Sequence, residues 1–209
     1  MSSEKNVSYQ INNSYSTLNE LTSKTKNIWF VCHGLGFLSR YFIQYFSSLN
    51  AEKNYIIAPQ AQSKQYLNEK FKHVGACWLT KENTEFEIEN VLNYLDSVYQ
   101  KENINDSLNF NILGYSQGVS IVTRWIARRK IKCSNLYLYA GKVPHEFTDK
   151  DFNHIKNIKF ILGDKDEYVT SDILASEKKY LNSIFKNRLS YIEFKGTHEI
   201  KKNVIKNLS

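Results

Sequence analysis

The chain has 209 residues, of which 42% are hydrophobic and 23% charged. That is ordinary globular composition, and a chain of this size buries roughly 70% of its unfolded surface without disulfides or metals. Its longest apolar runs, Ile28 to Cys32 and Tyr55 to Pro59, fall far short of the ~20 residues of a membrane span. The stretch Met1 to Gln10 is polar and has no apolar signal core. These features predict one domain over residues 1–209, cytoplasmic, with no stable membrane insertion. The three cysteines, Cys32, Cys77 and Cys133, have no metal-ligand spacing and read as free thiols. The net charge is +7. Its densest patch, Arg124, Arg128, Arg129, Lys130 and Lys132, falls at the end of a predicted helix, where cations complement the dipole. This reads as a solvated helix end, and no nucleic-acid partner is expected.

Taken in order, strand-like and helix-like runs alternate, the pattern of a mainly parallel sheet with helices on both faces. Val7 to Ile11 and Ser14 to Leu18 read as an N-terminal hairpin, or as one edge strand with a turn. Asn27 to Cys32 is a continuous apolar strand suited to burial on both faces. Ser39 to Leu49 reads as an aromatic-rich helix and Asn54 to Ala58 as the next strand. Residues 60–83 carry only a weak pattern, and a long irregular connection in a compact fold is usually functional or mobile. Phe86 to Tyr99 has helical periodicity. Leu108 to Leu113 is a strand, followed by a helix over Gln117 to Arg129. Strands follow at Leu136 to Ala140 and Ile158 to Leu162. Ser171 to Phe185 is a helix capped by Thr170 or Ser171. Ser190 to Phe194 is the last strand, and Ile200 to Leu208 a closing helix.

Between strand and helix lies Gly114-Tyr115-Ser116-Gln117-Gly118. A sharp strand-to-helix turn forces its central residue into strained angles, and the flanking glycines remove side chains that would collide. Ser116 is thereby the candidate nucleophile. A serine hydroxyl needs a base, and on such folds the chain order is Ser, acid, His. Of the five histidines, only His198 follows every candidate acid. The acid lies in Gly163-Asp164-Lys165-Asp166-Glu167, after the strand Ile158 to Leu162. Asp164 and Asp166 compete there, with Glu167 third. The developing oxyanion needs donors. These are the backbone N–H groups of Gln117, just after the nucleophile, and of Leu35, in His33-Gly34-Leu35-Gly36. His33 reads as a structural residue of that loop.

Together, Val31 to Gly36, Leu113 to Gly118, Gly163 to Val169 and Gly196-Thr197-His198 resemble the α/β-hydrolases. More narrowly, they resemble the phospholipase/carboxylesterase group that includes acyl-protein thioesterases. The resemblance spans nearly all the chain. It implies an α/β-hydrolase fold, in which 209 residues leave little room for a cap domain, and, through the pattern G-D-x-D-x-x-V, Asp166 as the acid. It implies Leu35 and Gln117 as oxyanion donors and matches an aromatic residue near the acyl site to Trp78. The chain has Phe37 and Val119 where that group often has Asp and Gly. The expected function is a cofactor-free serine hydrolase of small-molecule carboxylic esters or thioesters, with Ser116, Asp166 and His198 catalytic. Leu35, Phe37, Leu38 and Trp78 are the expected walls of an apolar acyl groove. The alternatives are an inactive binding protein, or a peptidase or acyltransferase, on the same fold. No feature of the sequence assigns an oligomeric state.

Overall fold

A computed structural model describes residues 2–105 and 107–208. Seven strands form the central sheet: β1 (Tyr15–Leu18), β2 (Asn27–Cys32), β3 (Asn54–Pro59), β6 (Asn109–Tyr115), β7 (Asn135–Tyr139), β8 (Ile158–Gly163) and β9 (Leu189–Phe194). Their spatial order is β1-β3-β2-β6-β7-β8-β9. Only β1 runs antiparallel, against β3. A separate hairpin pairs β4 (Ser63–Tyr66) with β5 (Val74–Cys77). The main helices are α1 (Ser39–Phe42), α2 (Thr84–Glu102), α3 (Gln117–Arg129), α4 (Ser171–Phe185) and α5 (Lys202–Lys206).

Successive strand side chains point to opposite faces. Ile28, Phe30 and Cys32 enter the core beneath α2, α3 and α4, while Trp29 and Val31 enter the one beneath α1 and α5. Leu136 and Leu138 divide from Tyr137 and Tyr139 in the same way. All of these residues are buried, which is why β2 and β7 read as unbroken apolar runs. Among the described residues, no helix is long and apolar enough to cross a membrane.

The amino edge of the sheet carries a run of asparagines. Asn27 donates to the Asn54 side chain at 3.1 Å, Asn109 to Asn27 at 3.2 Å and Asn135 to Asn111 at 2.7 Å. Asn54 also accepts from the Trp29 indole at 3.0 Å. The basic patch on α3 is already paired. Arg124 forks onto Glu146, Arg128 reaches Glu85, Glu89 and Glu146, and Arg129 reaches Glu89 and Asp96.

Three elements differ from the sequence expectation. Val7 to Ile11 forms no strand, and its apolar side chains are exposed, so only Tyr15–Leu18 joins the sheet. The predicted helix from Ser39 changes to 3₁₀ geometry over Ile43–Ser48, where Phe46 packs edge-on against Phe42. The connection over 60–83 is ordered by the β4–β5 hairpin. Every residue of β4 is exposed, so the strand has no alternation to read.

Candidate active site

Gly114 and Tyr115 end β6, and α3 begins at Gln117. Ser116 between them has φ 51° and ψ −117°, a conformation that costs an L-residue energy and persists only when its surroundings impose it. A hydrogen bond from Ser116 N–H to the Tyr139 carbonyl, at 2.8 Å, pins the turn to β7. The close approach of helix to sheet requires glycine at 118, because a Cβ there would collide with the Cys32 carbonyl on β2.

His198 lies in the loop after β9. Its Nε2 is 3.0 Å from Ser116 Oγ, and its Nδ1 is 2.9 Å from Asp166 Oδ2. A carboxylate only accepts, so Nδ1 carries the proton and Nε2 faces the serine hydroxyl as acceptor. Asp166 is buried, and its second oxygen accepts from Tyr168 N–H at 3.0 Å. Asp164 does not reach the imidazole. It accepts from Gly196 N–H at 3.0 Å and pairs with Lys195 at 2.7 Å, tying the loop after β8 to the loop after β9. The hydrogen bond from Lys195 holds its carboxyl below the usual carboxylate range. Glu167 accepts from His198 N–H at 3.0 Å, and hydrogen bonds from its own backbone and from His198 lower its pKa as well. The imidazole lies between two rings, Tyr115 at 5.6 Å and Tyr168 edge-on at 4.7 Å.

Leu35 lines the same cavity as Ser116, and Gln117 opens α3 directly after it. Neither backbone N–H has an acceptor among the described residues. The neighbouring Gly36 N–H is committed to the Ala76 carbonyl of β5 at 2.8 Å. Contact is so close that a Cβ on Gly75 would lie 2.5 Å from the Gly36 carbonyl. The Gln117 side chain, which the sequence left without a role, bridges to the same segment. Its oxygen accepts from Trp78 N–H at 2.9 Å, and its amide donates to the Leu79 carbonyl at 2.7 Å.

His33 is buried beneath this loop. Nδ1 donates to the Gly34 carbonyl at 2.8 Å, and Nε2 accepts from Ala61 N–H at 3.1 Å. Burial lowers its pKa to about 4. The unfolded chain protonates His33 near the ordinary value of about 6.5, so it takes up the proton before the folded state does. Stability from this residue is complete above pH 6.5 and is lost as pH falls toward 4. The expected loss is on the order of 3 kcal/mol. Urea titrations across that range should show the slope, and His33→Gln should flatten it; an unchanged slope in the variant would assign acid sensitivity elsewhere.

A cavity of about 480 Å³ opens beside Ser116 and His198. Its apolar walls are Phe160 and Leu162 of β8, Val169, and Ile173 and Leu174 of α4. Leu35 lines the mouth. The groove expected from Phe37, Leu38 and Trp78 is not there, because those side chains pack inward. Phe37 meets Phe42, Tyr45 and Tyr115 edge-on, Leu38 is buried, and Trp78 is buried with its indole N–H on the His33 carbonyl at 2.8 Å. Trp78→Ala is therefore expected to cost ~3–5 kcal/mol of stability. At ~2–4 °C per kcal/mol the Tm falls by roughly 6–20 °C. Thermal unfolding checks this, with equal activity loss on short and long acyl esters per folded molecule.

No protein-family model matches this sequence, and no curated protein matches it. Solved structures match it in fold. An esterase, PE8, superposes with a TM-score of 0.71 at 17% identity, covering 95% of this chain and 96% of that one. A carboxylesterase from Mesorhizobium loti gives 0.68 at 16%, covering 93% and 92%. Acyl-protein thioesterase 2 from Zea mays gives 0.63 at 14%, covering 94% and 98%. The chain has the α/β-hydrolase fold, its central sheet mainly parallel between helices, with no large cap domain among the described residues. Its fold neighbours include a carboxylesterase, a phospholipase/carboxylesterase and an acyl-protein thioesterase, the group the sequence motifs resemble.

Proposed function

We propose that this protein is a serine hydrolase that cleaves carboxylic esters or thioesters through an acyl-enzyme. The observation that carries the reading is the hydrogen-bonded chain from Ser116 Oγ through His198 to Asp166. Ser116 Oγ attacks the acyl carbon as His198 Nε2 takes its proton, and Asp166 stabilises the imidazolium. The carbonyl oxygen becomes an oxyanion beside the N–H groups of Leu35 and Gln117. As the tetrahedral intermediate collapses, the bond to the alcohol or thiol breaks and His198 returns the proton to that leaving group. Water, deprotonated by His198, then attacks the acyl-serine, and the acid departs as Ser116 regains its proton. The substrate is a small molecule, in keeping with a cavity near the lower end of ligand-pocket volumes. The pairing of Arg124, Arg128 and Arg129 with acidic neighbours supports a reading without a nucleic-acid partner.

Two measurements test this together. A fluorophosphonate is expected to label Ser116, and p-nitrophenyl esters and acyl thioesters are expected to turn over. Labelling without turnover of either class would favour an acyltransferase or peptidase. Absence of both would leave an inactive binding protein on this fold.

A further inference from the structure

Two carboxylates are buried among the described residues, Asp166 and Glu177. The first is met by His198. Glu177 lies on α4 and lines the cavity beside Ser116. Its Oε1 accepts from Val143 N–H at 3.1 Å. Its Oε2 accepts no hydrogen bond from the described residues. His145 Nε2 lies 3.6 Å from it, on an imidazole that is 64% exposed and packed on Tyr180. No fully enclosed side-chain oxygen among the described residues lacks a partner, so Oε2 keeps an accessible face. Lys142 lines the same cavity, but it is exposed and makes no ion pair with Glu177.

Burying a carboxylate is unfavourable unless its charge is met. The apolar wall of Phe160, Leu162, Val169, Ile173 and Leu174 offers nothing to meet it, and of the polar lining residues Ser120, Gln117 and Lys142, none bonds to Glu177 among the described residues. On the sequence the anomaly is visible once α4 is placed. Leu174, Leu181, Ile184 and Phe185 form the inward stripe, and Glu177 falls within it at helical spacing. A charge kept in an apolar stripe and opening onto a cavity is suited to a ligand.

We propose that Glu177 is a specificity-determining residue, selecting esters in which one arm, short and aliphatic, ends in an ammonium group. The inference rests on the serine-hydrolase reading of the same cavity. The aliphatic part of the arm packs on the apolar wall, and the ammonium donates to Oε2 with charge assistance. An alkyl arm of equal length leaves that oxygen unpaired as it excludes water, and such sites discriminate strongly against the analogue lacking the donor.

The test uses two matched pairs of esters, so that either half of the substrate can occupy the cavity. One pair is p-nitrophenyl aminohexanoate and heptanoate; the other is aminobutyl acetate and pentyl acetate. Wild type is expected to favour the amine by at least about tenfold in kcat/KM within one pair. Glu177→Gln keeps the acceptor for Val143 N–H and removes the charge. It should bring that ratio toward one, and Glu177→Leu should reverse it. A purely structural Glu177 would slow both members equally and leave the ratio unchanged, overturning the proposal. In unmutated protein, butylammonium should inhibit competitively and more strongly than butanol; equal inhibition would count against the proposal even if the variants failed to fold. Equal turnover of amino and alkyl esters overturns the Glu177 assignment alone. No turnover of any ester and no fluorophosphonate label at Ser116 overturns it together with the hydrolase reading.

Discussion

Replacing Ser116 by alanine is expected to lower ester turnover about 10⁶-fold, the scale for a triad nucleophile, while leaving the Tm in place. The fold should survive because alanine suits φ 51° no worse than serine does. The turn is held by backbone groups, including the bond from residue 116 N–H to the Tyr139 carbonyl. Only the bond from Oγ to His198 is lost. Steady-state hydrolysis of p-nitrophenyl acetate, with a melting curve on the same sample, makes the measurement. Turnover above about a tenth of wild type would assign the nucleophile to another group.

The second large effect separates two neighbouring carboxylates. Asp166→Asn is expected to reduce kcat about 10⁴-fold, because an amide can place its NH₂ toward Nδ1 and favour the wrong imidazole tautomer. Asp164→Asn should cost far less. Its partner Lys195 has a side chain that is 93% exposed, and an exposed ion pair contributes little. The amide oxygen can still accept from Gly196 N–H. A larger loss in Asp164→Asn than in Asp166→Asn would mean that the loop after β9 depends on its anchor more than on the charge beside His198.

The sequence carried the parts of this site that depend on backbone geometry. The Gly114-Tyr115-Ser116-Gln117-Gly118 turn is legible because only a few residue types fit a strand that bends at once into a helix. The choice between Asp164 and Asp166 was open on the residues themselves and needed the resemblance. In the structure, Asp166 is the one bonded to His198. The cavity was not legible. An apolar residue in a loop shows that it will be covered, not by what, so Trp78 read as groove wall although it packs beneath His33. The true walls come from β8 and α4, whose apolar residues look like any core. The β4–β5 hairpin was hidden for a similar reason. Its placement comes from a contact between Gly75 and Gly36, distant in sequence and without side chains to signal it.

That contact divides labour at the mouth of the site. The backbone of the loop at Leu35 is set from behind, by β5 holding Gly36, while the Leu35 side chain projects outward and is 56% exposed. In the proposed mechanism the donor is the main-chain N–H, so any residue but proline at position 35 can supply it. Under that mechanism evolution or a protein engineer can reshape the entrance at position 35, in size or polarity, while the backbone donor stays in place.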